Sequence, residues 1–192
     1  MSRIGRMPIA LADQVTLVAK EGFVEVSGPL GKLTQKIPSG ITVKITGQVA
    51  TVETTEADNA AGGPLHGLAR SLILNAVTGV TKGFKKELEI IGLGYRAQVA
   101  GEKLTMSLGF AHPVIFAIPP GIKMSVDPKQ TLLTITGIDA YAVGEIAAQI
   151  RKKKPPEPYK GSGIKYVGEH IIRKAGKAAA GAVGGGAGGG KK

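Results

Sequence analysis

Ile37-Pro38-Ser39-Gly40-Ile41 and Ile118-Pro119-Pro120-Gly121-Ile122 stand 81 positions apart in a chain of 192 residues. Each pairs an isoleucine and a proline with a glycine two positions further on, as a turn between two strands requires. Five residues are a short match, but the surroundings repeat as well. In both places a strand-like run precedes the turn, further strands follow, and one amphipathic helix comes last. Before the first turn stand Phe23 to Val26, the turn Ser27-Gly28-Pro29-Leu30-Gly31, and Leu33 to Ile37. After it, Ile41 to Ile45 alternates with period two, and Thr46-Gly47-Gln48 turns the chain into Val49 to Val52. These runs predict a small antiparallel meander. Leu65, Leu68, Ala69, Leu72, Ile73, Ala76 and Val77 then fall at helical spacing. Pro64 is tolerable in the first turn, and Gly79 or Gly83 is expected to end the helix.

The second copy reads the same way. Glu87 to Ile91, Arg96 to Ala100, Lys103 to Leu108, Val114 to Ile118, Ile122 to Val126 and Leu132 to Thr136 are strand-like, with Gly101-Glu102 as a hairpin turn. Asp139 is a candidate N-cap for a helix whose apolar stripe is Val143, Ile146, Ala147 and Ile150. The helix runs into Arg151-Lys152-Lys153-Lys154, where cations suit its negative end, and Pro155-Pro156 stops it. The expected fold class is α+β: two similar small domains from an internal duplication, each an antiparallel or mixed sheet covered by a helix, plus a basic C-terminal extension. The expected boundaries are 1–82, 83–172 and a basic, Ala/Gly-rich disordered tail, 173–192.

Charge is distributed unevenly. The net charge is +11. Residues 151–192 carry 11 Lys/Arg against 2 Asp/Glu, Arg3 and Arg6 add two cations, and residues 7–150 balance at 12 of each sign. A neutral body with basic ends points to a polyanionic partner. The chain has no cysteine, which excludes disulfides and cysteine-based zinc sites. No apolar run reaches the length of a membrane span and the start lacks a secretory pattern, so a cytoplasmic location is expected.

Enzyme chemistry finds little support. Gly92-Leu93-Gly94-Tyr95-Arg96-Ala97 after Glu87–Ile91 imitates a dinucleotide-binding turn. That mechanism needs a helix N-terminus facing the pyrophosphate, and Gln98-Val99-Ala100-Gly101 leads into another strand instead. His66, His112 and His170 have no metal-ligand spacing. No serine lies in a nucleophile-elbow motif. No catalytic residue, metal or cofactor is expected.

The informative segment is Arg151-Lys152-Lys153-Lys154-Pro155-Pro156-Glu157-Pro158-Tyr159-Lys160-Gly161-Ser162-Gly163-Ile164-Lys165-Tyr166. Its prolines predict a stiff, extended strap. Lysines can pair with phosphates, tyrosines can stack on unpaired bases, and glycines allow close backbone approach. From Pro156 to Tyr166 this stretch closely resembles the C-terminal signature of the bacterial large-subunit ribosomal protein six family. Ser2-Arg3-Ile4-Gly5-Arg6-Met7-Pro8-Ile9, Leu65–Leu72, Gly92–Ala97, Leu108–Val114 and Val167-Gly168-Glu169 resemble the same family, in order, from residue 2 to about 177. The chain departs from that pattern at Ser162, where Lys is usual, and at Ala111, where Ser is usual. The Ala/Gly tail is an addition.

The resemblance implies two α+β domains from an ancient duplication. It implies a structural role in the large ribosomal subunit, near the landing site of translational GTPases. The implied partners are large-subunit rRNA, neighbouring ribosomal proteins and, indirectly, those GTPases. The candidate rRNA-binding residues are Lys152, Lys153, Lys154, Tyr159, Lys160, Gly161, Lys165 and Tyr166, then Arg173, Lys174 and Lys177, then Arg96 and His112, with Arg3 and Arg6 last. The alternative is a free nucleic-acid-binding regulator with the same basic ends. On the strap reading, residues 7–150 are expected to stay folded when 151–177 are removed.

Overall fold

The computed structural model describes residues 2–20, 22–54 and 62–176. Lys177 and the rest of the tail to Lys192 lie outside the described residues. The chain gathers into two compact units, one of residues 1–86 with 119–123 and 135–146, the other of 87–118 with 124–134 and the chain from 147 on.

In the first repeat, β2 (Thr16–Lys20), β3 (Phe23–Gly28) and β4 (Gly31–Lys36) form one antiparallel sheet in that order. A second sheet has the order β1-β6-β5, from Ile9–Ala10, Val49–Thr54 and Ile41–Thr46. The expected single meander is therefore split. The Ile37–Ile41 turn carries the chain from one sheet to the other, with Gly40 at φ +79°. Helix α1 (Gly62–Thr81) lies against β3, β4, β5 and β6. Ala69, Ile73, Ala76, Val77 and Val80 are its buried stripe, joined in the core by Ile9, Leu17, Val24, Val26 and Val52. Glycine decides how closely the helix can pack. A side chain on Gly28 would come within 2.8 Å of Val80, and the Leu30 amide donates to the Val80 carbonyl at 3.1 Å, satisfying an end-of-helix acceptor. Gly79 does not stop the helix. A side chain there would strike the Ile138 carbonyl, so its smallness serves packing. Gly83, at φ +72°, follows the end of the helix.

The second repeat has the same plan. β8 (Arg96–Ala100), β9 (Lys103–Ser107) and β10 (Val114–Ala117) form one sheet. β11 (Ile122–Val126), β12 (Leu132–Gly137) and β7 (Phe84–Ile91) follow the order β11-β12-β7, the counterpart of β5-β6-β1. Even a turn hydrogen bond repeats: Ile37 N–H donates to the Gly22 carbonyl at 2.9 Å, and Ile118 N–H to the Glu102 carbonyl at 2.8 Å. Helix α2 (Ala140–Lys153) starts where expected, with Asp139 Oδ1 accepting from the Tyr141 amide at 2.9 Å. Its stripe Val143, Ile146, Ala147 and Ile150 is buried.

One strand has no counterpart among the described residues of the first repeat. β13 (Gly163–Tyr166) pairs antiparallel with β7, Ile164 opposite Ile90 and Tyr166 opposite Leu88. β1 has two residues, but β7 has eight and would otherwise expose a long hydrogen-bonding edge. β13 covers that edge, and Ile164 joins Leu88, Ile90, Leu104, Met106, Leu133 and Ile150 among the buried residues of the second unit. This corrects the strap reading. Part of the basic segment belongs to the fold, so removing residues 151–177 takes a core strand with it.

Candidate rRNA-binding face

The segment after α2 closes on itself. Ile164 N–H donates to the Lys154 carbonyl at 2.8 Å, Glu157 N–H to the Ser162 carbonyl at 3.0 Å, and Gly161 N–H to the Glu157 carbonyl at 3.1 Å. Prolines 155, 156 and 158 stiffen a loop rather than an extended strap. Gly163 sits at its base with φ +143°, and a Cβ there would lie 2.6 Å from the Pro155 carbonyl oxygen. Gly163→Ala is expected to cost about 1–3 kcal/mol through backbone strain, read from a denaturant melt. Tyr159 and Lys160 are exposed at the loop tip.

The chain then returns along this loop. Lys174 N–H donates to the Pro158 carbonyl at 2.8 Å, and Arg173 lies beside the buried Gly161. Glu169 fixes the return. Its carboxylate takes two hydrogen bonds from Arg151, one of them Nε to Oε2 at 3.0 Å, and a third from the Tyr166 amide at 2.9 Å. The Arg151 guanidinium also stands 5.8 Å from the Tyr166 ring centroid. Lys165 pairs with Glu89 on the adjoining strand at 3.1 Å.

At the end of α2, Lys152 and Lys153 are exposed. Lys154 Nζ lies 4.8 Å from the centroid of Phe110, so the helix end meets the loop that carries His112. Gly109 and Gly92 both make room for the Tyr95 ring, which links that loop to the turn before Arg96. Arg96 and His112 are exposed. Lys152, Lys153, Lys154, His112 and Arg96 thus share connected elements of the second unit, and Lys160, Arg173 and Lys174 share the loop and its return. Arg3 and Arg6 are exposed in an N-terminal turn of the first unit.

The family model for ribosomal protein L6 matches residues 13–83 and again 91–167, once in each repeat. The chain belongs to the ribosomal protein L6 family. It is 49% identical over 177 residues to the large ribosomal subunit protein uL6 of Pelobacter propionicus, covering 92% of this chain and 98% of that one. It is 48% identical to the uL6 of Protochlamydia amoebophila, covering 94% and 99% of the two chains, and 47% identical to that of Bradyrhizobium diazoefficiens, covering 92% and 99%. The L6 family is structural rather than enzymatic.

Sequence reading of this L6 face missed Phe110 and the Arg151–Glu169 clamp. Val167-Gly168-Glu169 was a signal without a role, because nothing local says that Glu169 reaches back 18 residues to a helix end. Ser162 contributes its backbone carbonyl to the loop, and Ala111 is exposed beside His112.

The clamp makes a pH prediction. Hydrogen bonding to Arg151, then the Tyr166 amide, holds the Glu169 carboxyl below its ordinary value of 4.5, against the opposing effect of burial. A lowered carboxyl pKa contributes stability above the unfolded value and loses it as pH falls through the folded one. The same bond raises the already high pKa of the Arg151 guanidinium further, outside any working range. Glu169→Gln is therefore expected to destabilise by about 1 kcal/mol at pH 7. The gap to the parent should close below pH 4.5 in paired thermal melts.

Proposed function

We propose that the protein is a structural constituent of the large ribosomal subunit that anchors on large-subunit rRNA through its second repeat, residues 83–172, and the basic segment. Lys152, Lys153, Lys154, Lys160, Arg173 and Lys174 neutralise phosphates, Tyr159 stacks on an exposed base or sugar, and Arg96 and His112 extend the face. Lys165 and Tyr166 hold the segment to the sheet and add to the contact from there. Lys177 would continue the cationic run, and Arg3 and Arg6 would be a separate, weaker contact.

The observation that carries this reading is the clamped loop. A chain segment rich in cations is fastened by a core strand, a bidentate ion pair and the four backbone bonds of the loop and its return, so little entropy is lost when RNA docks. In this reading the first repeat, residues 1–82, which is neutral apart from Arg3 and Arg6, faces neighbouring ribosomal proteins. The assembled protein braces RNA near the landing site of translational GTPases, in cytoplasmic ribosomes. A free nucleic-acid-binding regulator would use similar charges with different selectivity.

Binding of the full chain to large-subunit rRNA across a salt series, with duplex DNA as competitor, tests the proposal. Selective binding is expected, with a slope of roughly −0.7 to −0.9 per phosphate contacted. Equal competition by duplex DNA would favour the regulator.

A further inference from the structure

Between β13 and the returning segment lies a cleft of about 510 Å³, bounded by Ile91, Gly161, Lys165, Glu169 and residues 170–173. It belongs entirely to the second unit. We infer that this cleft receives one unpaired nucleotide of the bound RNA, an inference that rests on the rRNA-binding reading above and narrows it to one site.

The volume falls in the range of small-ligand sites, roughly 300–1,000 Å³. Its chemistry separates into two kinds. Arg173 and Lys165 supply positive charge, and Arg173 and His170 are the side-chain types on which splayed bases stack. Ile172 is 81% exposed, a large apolar side chain left in water beside these cations. A base covers such a side chain, whereas a phosphate alone does not. Gly161, at φ +76°, leaves the wall open where a side chain would come within 3.2 Å of the Arg173 guanidinium. The one acid among the described lining residues, Glu169, is turned to Arg151 and the Tyr166 amide, so it is neutralised toward an arriving anion. Lys165 is shared with Glu89, which leaves Arg173 as the principal phosphate partner. A duplex offers no base to such a cleft. An unpaired loop or bulge does.

The test places a benzophenone amino acid at position 172 of the full chain, which is reconstituted into large subunits, irradiated and mapped by reverse-transcription stops. One dominant stop, at a nucleotide unpaired in the rRNA secondary structure, is expected. Arg173→Ala should lower the salt slope of rRNA binding by roughly 0.7, the single-strand value for one phosphate. Gly161→Val should remove the cross-link. Arg173→Ala, at an exposed position, carries the test if Gly161→Val fails to fold. Stops scattered through duplex regions, or cross-linking to a neighbouring protein in particles that contain the chain, would overturn the cleft assignment alone. A chain that enters no subunit takes the underlying reading down with it.

Discussion

Replacing Lys152, Lys153 and Lys160 together by alanine is expected to weaken binding to large-subunit rRNA by on the order of 100-fold at ~0.15 M salt. The salt slope should fall by roughly 2–3, because each phosphate contact contributes about 0.7–0.9. All three side chains are exposed, two on the last turn of α2 and one at the loop tip. Their removal leaves the core untouched, and the melting temperature should fall by no more than a few degrees. Removing Lys152 and Lys153 also takes away favourable charge at the helix C-terminus, worth about 0.3–1 kcal/mol per residue at most. Unchanged rRNA affinity in the triple variant would move the anchor elsewhere, to Arg96 and His112 first.

Ile164→Ala should have the opposite profile, with a large loss of stability and RNA binding lost only as a consequence. Ile164 is 0% exposed on β13 and pairs opposite Ile90 on β7. Truncating a buried isoleucine costs about 2–5 kcal/mol. β13 is short and lies at the sheet edge, so it has few other bonds with which to stay in place. Urea titration of the parent and variant reads the cost directly. Affinity for rRNA should then recover when temperature is lowered, which distinguishes a loosened anchor from a lost contact. A cost below 1 kcal/mol would mean that β13 is only an appendage of the sheet.

The two experiments separate what sequence could and could not reveal about the basic segment. Residue type shows that Lys152, Lys153 and Lys160 are cations and that Tyr159 can stack. It does not show that Ile164 is core. Gly163-Ile164-Lys165-Tyr166 is four residues between glycine-rich turns, too short for a period to be read. Its pairing partner lies more than 70 positions earlier. The repeat, both amphipathic helices and the Gly101-Glu102 hairpin were legible because each is written in local periodicity and turn chemistry. The division of Phe23 to Thr54 between two sheets was not, because strand runs do not name their partners. β1 and β2 escaped for a related reason: Ile9–Ala10 is two residues long, and Thr16–Lys20 buries only Leu17. The cationic members of the candidate face were visible as charges. What joins them, Glu169 on Arg151 and Phe110 under Lys154, depends on contacts across 18 and 44 positions.

The pairing of β13 with β7 also sets an order of events during synthesis. The β2–β3–β4 and β8–β9–β10 sheets close through neighbouring strands, and β1 meets β6 before the second repeat is made, so these parts can form while the chain is still being extended. β7 must wait for residues 163–166, near the end of the described chain, before its free edge is covered. The loop bearing Tyr159 and Lys160 acquires its shape only at that step. A polypeptide that stops before residue 163 therefore lacks the shaped loop through which RNA is proposed to dock, even when residues 1–162 have been made. Emergence of β13 becomes a physical precondition for presenting that loop.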